Sequence, residues 1–489
     1  MRRPTPLFMA TMFLLAALLA YTAYRACALS MTHDESVSFL WFQNIDVLSC
    51  FFEKSCWPTA NNHLLNTWAW QQSMRLFGIS EWALRLPNVL AHLIYLLCSL
   101  GIILAVTRRF WIALAGIALL NFNPYLLDFF SLARGYGLSV GLCMGSLYAF
   151  MAFFRHGRWP ALLASYLLAA LAVLANFVAF NFLASLWGAM FIMSLIQEKT
   201  GTISFRFRWR QQLRMNAIPL VIGLVLALLL YRPIRYLQEA KEFHYGAERL
   251  WMTFRSIVQS SLYDNRYFAA DTLWIFFLFY GILISLALAG AFWFYYRKPE
   301  EAWRKQYLAT ALLFLTSCIV MAAQHYLLGS NYLEGRKALH FIPLSGLLFF
   351  FMLYGVCSAH LNGWAAKLGA GLCLLLPAYH LGRSFNLSHC YEWRFDQSTR
   401  DMVKYLDAQI TPGQAPATMG AYWMFQPTAT FYHQVLGIRS FAAPPFVGGD
   451  TLNPGPDFFY LFESQAPQLE GRYTVLKKFS GGMVLMRRK

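Results

Sequence analysis

The chain has 489 residues, of which 58% are hydrophobic and 13% are charged, and its mean hydropathy is +0.44. This composition excludes an ordinary soluble globular protein, so much of the apolar surface must face lipid. The net charge of +17 would suggest nucleic-acid binding in a soluble protein. Here the basic residues cluster in short loops between apolar runs, so they indicate membrane topology and we expect no nucleic-acid partner.

Apolar runs near the ~20-residue length that crosses a bilayer recur along most of the chain. They predict about eleven transmembrane helices and a first domain spanning residues 1–382. The predicted spans are Phe8–Tyr24, Leu86–Val106, Phe110–Leu127, Tyr136–Phe154, Trp159–Ala175, Ala179–Ile196, Ala217–Tyr231, Leu273–Phe294, Leu308–Leu328, Leu339–Val356 and Trp364–Leu381.

The distribution of basic residues predicts the orientation of these spans. Arg2 and Arg3 precede the first span, which lacks a convincing cleavage site, so we predict a retained anchor and a cytoplasmic N-terminus. Alternate loops then carry the cations expected on the cytoplasmic side: Arg108, Arg109, Arg155, Arg158, Arg206, Arg208, Arg210, Arg214, Arg297, Lys298, Arg304 and Lys305. We therefore expect a multi-pass protein of the plasma membrane, the inner membrane of a bacterium.

The stretch between Trp159 and Ile196 has two possible interpretations. Two short spans separated by residues 176–178 keep the downstream topology as described, whereas one long tilted helix would invert it. The basic stretch that follows Lys199 favours two spans, because a single span would place it outside.

Four segments are predicted to face the non-cytoplasmic side: residues 27–85, 128–135, 232–271 and 329–338. The first contains an apolar stripe typical of an amphipathic helix at the membrane interface, formed by Leu64, Leu65, Trp68 and Met74. Gly78 is the expected C-terminal cap of that helix. Cys50 and Cys56 form a disulfide if the compartment is oxidising, and two free thiols are the alternative.

Residues 383–489 have a soluble composition and predict a small C-terminal α/β domain on the extracytoplasmic side. A helix is expected after Asp396, with Met402, Val403 and Leu406 on one face. A Gly481-Gly482 turn predicts a hairpin of the flanking strands.

Acidic and basic residues in the non-cytoplasmic segments are the candidates for chemistry. Asp34 and Glu35 follow the first span, where a carboxylate meets both water and lipid. From position alone, two solvated acids are the simpler interpretation. Asp128 and Arg134 lie in a short loop, and Arg134 is on the side opposite the positive-inside preference. The alternative is an arginine without a function, whose side chain extends from the membrane edge so that its charge reaches water.

Arg336 and Lys337 directly precede a predicted helix whose first turn has free amide donors. A planar guanidinium, an ammonium and a helix N-terminus together suit a phosphate. Two interfacial cations that anchor a helix end are the equally weighted alternative.

His63 is a candidate for contact with substrate or metal, with His33 and Glu53 as further ligands, although a lone histidine on an amphipathic helix is usually an interfacial polar residue. Two ligands at helical spacing do not occur, so a divalent cation stays an open question.

Taken in order, these motifs resemble those of the GT-C glycosyltransferases, most closely the protein mannosyltransferase and aminoarabinose transferase superfamily. The resemblance covers most of the membrane domain. The sequence differs from the common family pattern in having Gly135 where proline is frequent. The motifs are Asp34-Glu35, His63-Leu64-Leu65, Leu76-Phe77-Gly78-Ile79-Ser80-Glu81, Leu84-Arg85-Leu86-Pro87, Ala133-Arg134-Gly135-Tyr136 and Gly335-Arg336-Lys337-Ala338-Leu339.

The resemblance implies an all-α polytopic GT-C fold that transfers a sugar from a polyprenyl-phosphate donor, with inversion and without a nucleotide cofactor. The acceptor is a lipid, a glycan or a protein. Asp34 is the expected base, with Glu35 supporting it and Asp128 as a further acid. Arg134 and Arg336 are expected to hold the leaving phosphate.

A polytopic transporter or flippase of a lipid-linked or anionic substrate is the alternative function. Transporters place ionisable residues near the middle of the membrane in broken helices. The spans predicted here are nearly uncharged inside, and the charges gather at one face, which favours the transferase.

Overall fold

The computed structural model of the chain describes residues 5–199, 202–205, 209–242, 245–268, 271–359, 364–410, 416–446, 452 and 455–489. The α-helices are α1 (Pro6–Ala28), α2 (His33–Phe42), α3 (Leu64–Phe77), α4 (Glu81–Val106), α5 (Phe110–Asn121), α6 (Pro124–Phe130), α7 (Gly135–His156), α8 (Trp159–Ala175), α9 (Phe180–Leu195), α10 (Trp209–Glu239), α11 (Leu250–Leu262), α12 (Thr272–Arg297), α13 (Ala302–Leu328), α14 (Phe341–Ala359), α15 (Trp364–Ser384), α16 (Thr399–Gln409) and α17 (Gln426–Val435). The strands are β1 (Ile196–Lys199), β2 (Thr202–Phe205), β3 (Ala417–Ala421), β4 (Phe441–Ala442), β5 (Phe458–Phe462), β6 (Tyr473–Phe479) and β7 (Met483–Arg488).

Long apolar helices dominate the first part of the chain. Within the described residues, eight are long and apolar enough to cross a membrane, or nine if the bent pair of α5 and α6 is one span. Helix α8 is also apolar but has only 17 residues. The chain is therefore a multi-pass membrane protein, and each predicted span falls on a helix or on the bent pair.

The predicted span Phe110–Leu127 is broken in the structure into α5 and α6, which meet at 64°. Asn123 has extended backbone angles and accepts a hydrogen bond from the Leu126 amide, and Pro124 begins α6. Proline disfavours a helical conformation in the residue before it and is well suited to the first helical position. The Asn-Pro pair therefore ends one helix and begins the next, and Asp128 lies in α6.

The stretch with two open readings forms two helices, α8 and α9. Asn176 has extended backbone angles, and its side chain accepts a hydrogen bond from the Val178 amide, so it caps a short 3-10 turn between them. A single continuous helix is thereby excluded.

The first long loop contains two short helices, α2 and α3. Gly78 ends α3 with a positive φ of 77°, as predicted, and its amide donates to the carbonyl of Met74. Of the predicted apolar stripe, Trp68 is exposed, Leu65 and Met74 are half-buried and Leu64 is buried, so the stripe does not form one open face. Cys50 and Cys56 form a disulfide in the same loop.

The C-terminal part of the chain forms a five-stranded mixed sheet in the order β4-β3-β5-β7-β6, with α16 and α17. Strands β6 and β7 form the predicted hairpin, whose turn carries Gly481 and Gly482 at φ of 89° and 82°. Met402, Val403 and Leu406 face the core of this region, as predicted.

Helix α2 packs into this C-terminal core. The rings of Phe39 in α2 and Phe431 in α17 lie 5.0 Å apart, and both side chains are fully buried. The Met31 amide just before α2 donates to the Tyr432 hydroxyl at 2.7 Å. The acidic pair at the start of α2 is thus held between the membrane helices and the C-terminal sheet.

Candidate functional site

The site begins at the N-terminus of α2. Thr32 caps the helix, and its amide donates to the Glu35 carboxylate at 2.9 Å, which completes a capping box. The His33 amide donates to the buried Asp396 carboxylate at 2.6 Å. Burial raises the pKa of Asp396 well above its ordinary value. Asp34 is therefore fixed in position by contacts on both sides of it.

Glu35 is completely enclosed and forms a forked ion pair with Arg85 of α4. The two hydrogen bonds from the Arg85 guanidinium measure 2.8 and 2.7 Å, and the Ala133 amide donates to Glu35 Oε1 at 2.5 Å. Both side chains of the pair are 0% exposed. Burial raises the pKa of Glu35, but Arg85 and the amides of Ala133 and Thr32 together lower it more, so the carboxyl stays charged. Glu35 thus joins α2, α4 and the loop that carries Arg134.

Asp34 lies between two arginines. Its Oδ2 is 3.3 Å from Arg134 Nη2 and 3.2 Å from Arg336 Nη2, and its side chain is 14% exposed. Burial raises the pKa of this carboxyl, but the guanidinium groups of Arg134 and Arg336, with smaller effects of His33 and Trp393, together lower it more, so its pKa lies below the usual value. The result is a charged carboxylate, mostly shielded from water, beside two cations.

Arg134 is 1% exposed and is held by α2 and the first loop. It donates to Ser38 Oγ at 3.1 Å, to the Asp34 carbonyl at 3.3 Å and to Asn61 Oδ1 at 2.9 Å. Its Nε is buried and has no hydrogen-bond partner among the described residues. Arg134 therefore contacts both the backbone carbonyl and the carboxylate of Asp34 and fixes the orientation of that residue.

Arg336 is the more open of the two arginines, with 31% of its side chain exposed. It lies in a 3-10 turn that Gly335 begins with a φ of 51°. Its Nε donates to the Tyr136 hydroxyl at 3.4 Å, and its guanidinium carbon lies 5.1 Å from the Trp393 ring centroid. A third contact joins Nη1 to the carboxylate of Glu392.

Sequence analysis missed Glu392 and Trp393, which reach the site from the C-terminal region. Glu392 contacts Arg336 through Oε2 and the Tyr125 hydroxyl through Oε1. No local sequence signal identifies these residues, because they lie in an irregular segment far along the chain from Asp34. Contacts of this segment with α1 and α6 bring them into the site, among them those of His389 with Arg25 and of the Tyr391 amide with Asp128.

Asp128 forms a separate buried network. Its Oδ1 is 2.7 Å from Arg25 Nη1, and the Tyr263 hydroxyl lies 3.0 Å from both carboxylate oxygens. The Tyr391 amide donates to Asp128 Oδ2 at 2.7 Å. These contacts join α1, α6 and the segment that carries Glu392.

Lys337, although adjacent to Arg336, is directed elsewhere. Its ammonium donates to the Tyr245 carbonyl at 2.7 Å and lies 5.8 Å from the centre of the Tyr245 ring. Burial and the neighbouring Arg336 lower the pKa of Lys337. The two cations therefore do not form one paired site.

His63 lies beside the arginines. It is 8% exposed, its ring is 5.4 Å from that of Tyr136, and its Nε2 is buried with no hydrogen-bond partner among the described residues. Burial, Arg134 and Arg336 lower its pKa well below the ordinary value, so the imidazole is neutral.

The other candidate metal ligands are dispersed. His33 Nδ1 lies 2.8 Å from the Met424 carbonyl, and Glu53 contacts Ser55 in its own loop. In the part of the chain that the structure describes, no group of three or more histidine, cysteine or acidic side chains is arranged to hold a metal ion.

No protein-family model matches the sequence, and no curated protein matches it. In structure, the chain is similar to ArnT from Cupriavidus metallidurans, solved with bound undecaprenyl phosphate, with a TM-score of 0.55 and 13% identity over 98% of both chains. The archaeal oligosaccharyltransferase AglB from Archaeoglobus fulgidus, in complex with an inhibitory peptide and a dolichol-phosphate, gives a TM-score of 0.48 and 12% identity over 93% of this chain and 70% of its own. The likeness to ArnT extends over nearly the whole of both chains, and the chain has the GT-C fold.

Proposed function

We propose that the chain is a membrane glycosyltransferase that transfers a sugar from a polyprenyl-phosphate donor to an acceptor at the non-cytoplasmic face. The observation that carries this proposal is the position of Asp34 between Arg134 and Arg336, at one end of a bundle of apolar helices. A base beside two cations suits a reaction in which an acceptor loses a proton and a phosphate leaves. The ArnT structure, which shares the fold, contains undecaprenyl phosphate, a lipid of the proposed donor class.

Asp34 acts as the base in this proposal. Its lowered pKa keeps it in the charged, proton-accepting form. It takes the proton from an acceptor hydroxyl as the oxygen attacks the anomeric carbon. The bond from that carbon to the phosphate oxygen breaks on the opposite side of the sugar, so the configuration inverts.

The two arginines stabilise the charge on the departing lipid phosphate, which grows as the sugar leaves. Arg336 is the more exposed and presents a planar fork for phosphate oxygens. Arg134 is enclosed, so in this proposal it adds positive potential at the site and orients Asp34. Glu35 and Asp128 hold the segments around the site in position through their ion pairs with Arg85 and Arg25.

The proposal is tested by assaying transfer from radiolabelled polyprenyl-phosphate sugars to membrane acceptors with the wild type and the Asp34→Asn variant. Removing a general base is expected to lower the turnover about 100-fold or more. Asp401→Asn is the control, because Asp401 is exposed on α16 and is not among the residues that contact Asp34, Arg134 or Arg336. Undiminished transfer by Asp34→Asn would exclude Asp34 as the base.

A further inference from the structure

The C-terminal region places a carboxylate directly on the cation proposed to bind phosphate. Glu392 contacts Arg336 Nη1 through one oxygen and the Tyr125 hydroxyl through the other. Its side chain is 20% exposed, whereas Tyr125 is 1% exposed. Glu392 therefore lies at the boundary between the buried aromatic residues and the open side of the site.

Each nitrogen of the Arg336 guanidinium already has a partner in the structure. Nε donates to the Tyr136 hydroxyl, Nη1 to Glu392 and Nη2 to Asp34. These contacts use three of the five N–H groups of a guanidinium. A phosphate that binds through two oxygens on the edge held by Glu392 or by Asp34 must replace that carboxylate. Because a phosphate and a carboxylate repel each other, the two anions do not share one edge of the guanidinium.

Of the two carboxylates on Arg336, Glu392 is the one that can leave at the lower cost. Asp34 has a second ion pair with Arg134 and is needed beside the reacting atoms in the proposed reaction. Glu392 is partly exposed, so water can hydrate its free oxygen, and the Tyr125 hydroxyl can keep its other oxygen bound. Its departure leaves no buried charge without a partner.

We infer that Glu392 occupies the phosphate position on Arg336 in the donor-free protein, and that the phosphate of the lipid donor displaces it. This inference rests on the proposed function. The carboxylate holds the guanidinium beside Asp34 before the donor arrives, and it competes with the lipid phosphate for the same donors. By returning to Arg336 after transfer, it also favours release of the lipid phosphate product.

The inference is tested by measuring how tightly the full chain, in lipid nanodiscs, binds polyprenyl phosphate and the corresponding polyprenol. Glu392→Gln is expected to bind polyprenyl phosphate about tenfold more tightly than the wild type. In the wild type only the molecules whose Arg336 is free of Glu392 can bind the phosphate, and the apparent dissociation constant rises as their fraction falls. Binding of polyprenol, which has no phosphate, is expected not to change.

Glu334→Gln is the matched control, since Glu334 is an exposed carboxylate two residues before Arg336. It is expected to bind polyprenyl phosphate like the wild type. In an Arg336→Gln background, Glu392→Gln is expected to have no effect on binding, because the guanidinium for which the two anions compete is gone. A purely structural role for Glu392 predicts weaker binding of both lipids instead.

A second measurement uses only the wild type, in case Glu392→Gln does not fold. Polyprenyl phosphate is expected to increase hydrogen exchange in residues 388–398, and polyprenol is not. Failure of the wild type to bind polyprenyl phosphate would overturn the proposed donor class. If the wild type binds polyprenyl phosphate but Glu392→Gln binds it equally well or more weakly, the role of Glu392 alone is overturned. The same follows if the wild type binds and hydrogen exchange in this segment does not change.

Discussion

Asp34 and Glu35 are neighbours in sequence, but their environments differ sharply. Consecutive residues of a helix point about 100° apart, so the first turn of α2 directs one carboxylate toward the open arginine site and the other into the protein. Asp34 is 14% exposed, whereas Glu35 is completely enclosed by Arg85 and the Ala133 amide. The pair therefore combines one residue suited to chemistry with one that positions it.

The pH dependence of transfer is expected to follow the charge around Asp34. A base whose pKa is lowered stays active as the pH falls through the ordinary aspartate range, and its activity is lost only below its own pKa. Replacing Arg134 with glutamine removes a cation that lowers this pKa. The acidic limb of kcat/KM should therefore move to higher pH.

This shift is measured from pH profiles of the wild type and Arg134→Gln. Lys337→Gln is the control, because Lys337 is directed toward Tyr245 and its charge is not among the groups that shift the pKa of Asp34. An acidic limb that stays in place in Arg134→Gln would mean that Asp34 does not control the profile.

The sequence predicted the three charged residues that meet at the centre of the site, but not all of their contacts. Asp34, Arg134 and Arg336 are brought together as expected from their loops. The ion pairs of Glu35 and Asp128 were not predicted, since partners inside a membrane bundle are decided by how helices pack. For the same reason, the fact that Arg336 and Lys337 are neighbours in sequence could not show that their side chains contact different parts of the protein.

Among the elements, the joint between α2, α4 and the loop before α7 depends on one buried ion pair. Glu35→Gln would leave the Arg85 charge enclosed without its carboxylate, and breaking such a pair costs about 3–5 kcal/mol. We expect this variant to lower the thermal unfolding temperature strongly. Measuring the melting temperature in detergent tests this, with Glu300→Gln, an exposed acid, as the neutral control. Equal melting of the two variants would contradict it.

The first turn of α7 depends on two glycines. A Cβ at Gly135 would lie 2.1 Å from the Ala175 carbonyl oxygen, and one at Gly137 would lie 2.2 Å from that of Phe129. These contacts with rigid backbone explain why a residue with a side chain does not fit at position 135.

Gly137→Ala is therefore expected to lower both the melting temperature and the rate of transfer. Gly145→Ala in the same helix is the matched control, because its Cβ would make only an ordinary contact of 3.4 Å with Leu168. Comparison of melting curves and transfer rates distinguishes the two positions. Similar losses in both variants would show that the effect belongs to the helix as a whole and not to its first turn.

Helix positions followed from the apolar runs, because the length of an apolar run in a membrane protein is set by the thickness of the bilayer. The exception was the break between α5 and α6. Both sides of Asn123 are apolar, so hydropathy alone merges them, and only the Asn-Pro pair signals the bend. Chain turns of this kind are decided by single residues and not by composition.

At the scale of the whole molecule, we expect the end of the bundle with Asp34 to face the non-cytoplasmic side. Cysteine at position 264, an exposed site between α11 and α12, should then react in intact cells with a thiol reagent that does not cross membranes. Cysteine at position 297, at the other end of α12, should react only after permeabilisation. A Cys27→Ser background removes the exposed native thiol. The reverse labelling pattern would invert the topology.

The division into an apolar bundle and a small sheet region followed from composition, and the GT-C fold from the ordered motifs. The packing of the sheet region against α2 could not be predicted, because it depends on contacts such as that of Phe39 with Phe431, which are hundreds of residues apart. The segment between α15 and α16 brings Glu392 and Trp393 to Arg336, and its contacts with α1 and α6 are equally distant in sequence. The least predictable part of the fold is thus the part that completes the site.

This arrangement sets the order in which the site is built during translation. Asp34 leaves the ribosome early, but the residues that hold its helix and Arg336 from the other side, Asp396 and Glu392, are synthesised after the last apolar helix. Since domains generally fold from the N-terminus as they are made, we expect the membrane bundle to insert before the C-terminal contacts around Asp34 can form. A nascent or prematurely terminated chain therefore lacks an assembled site.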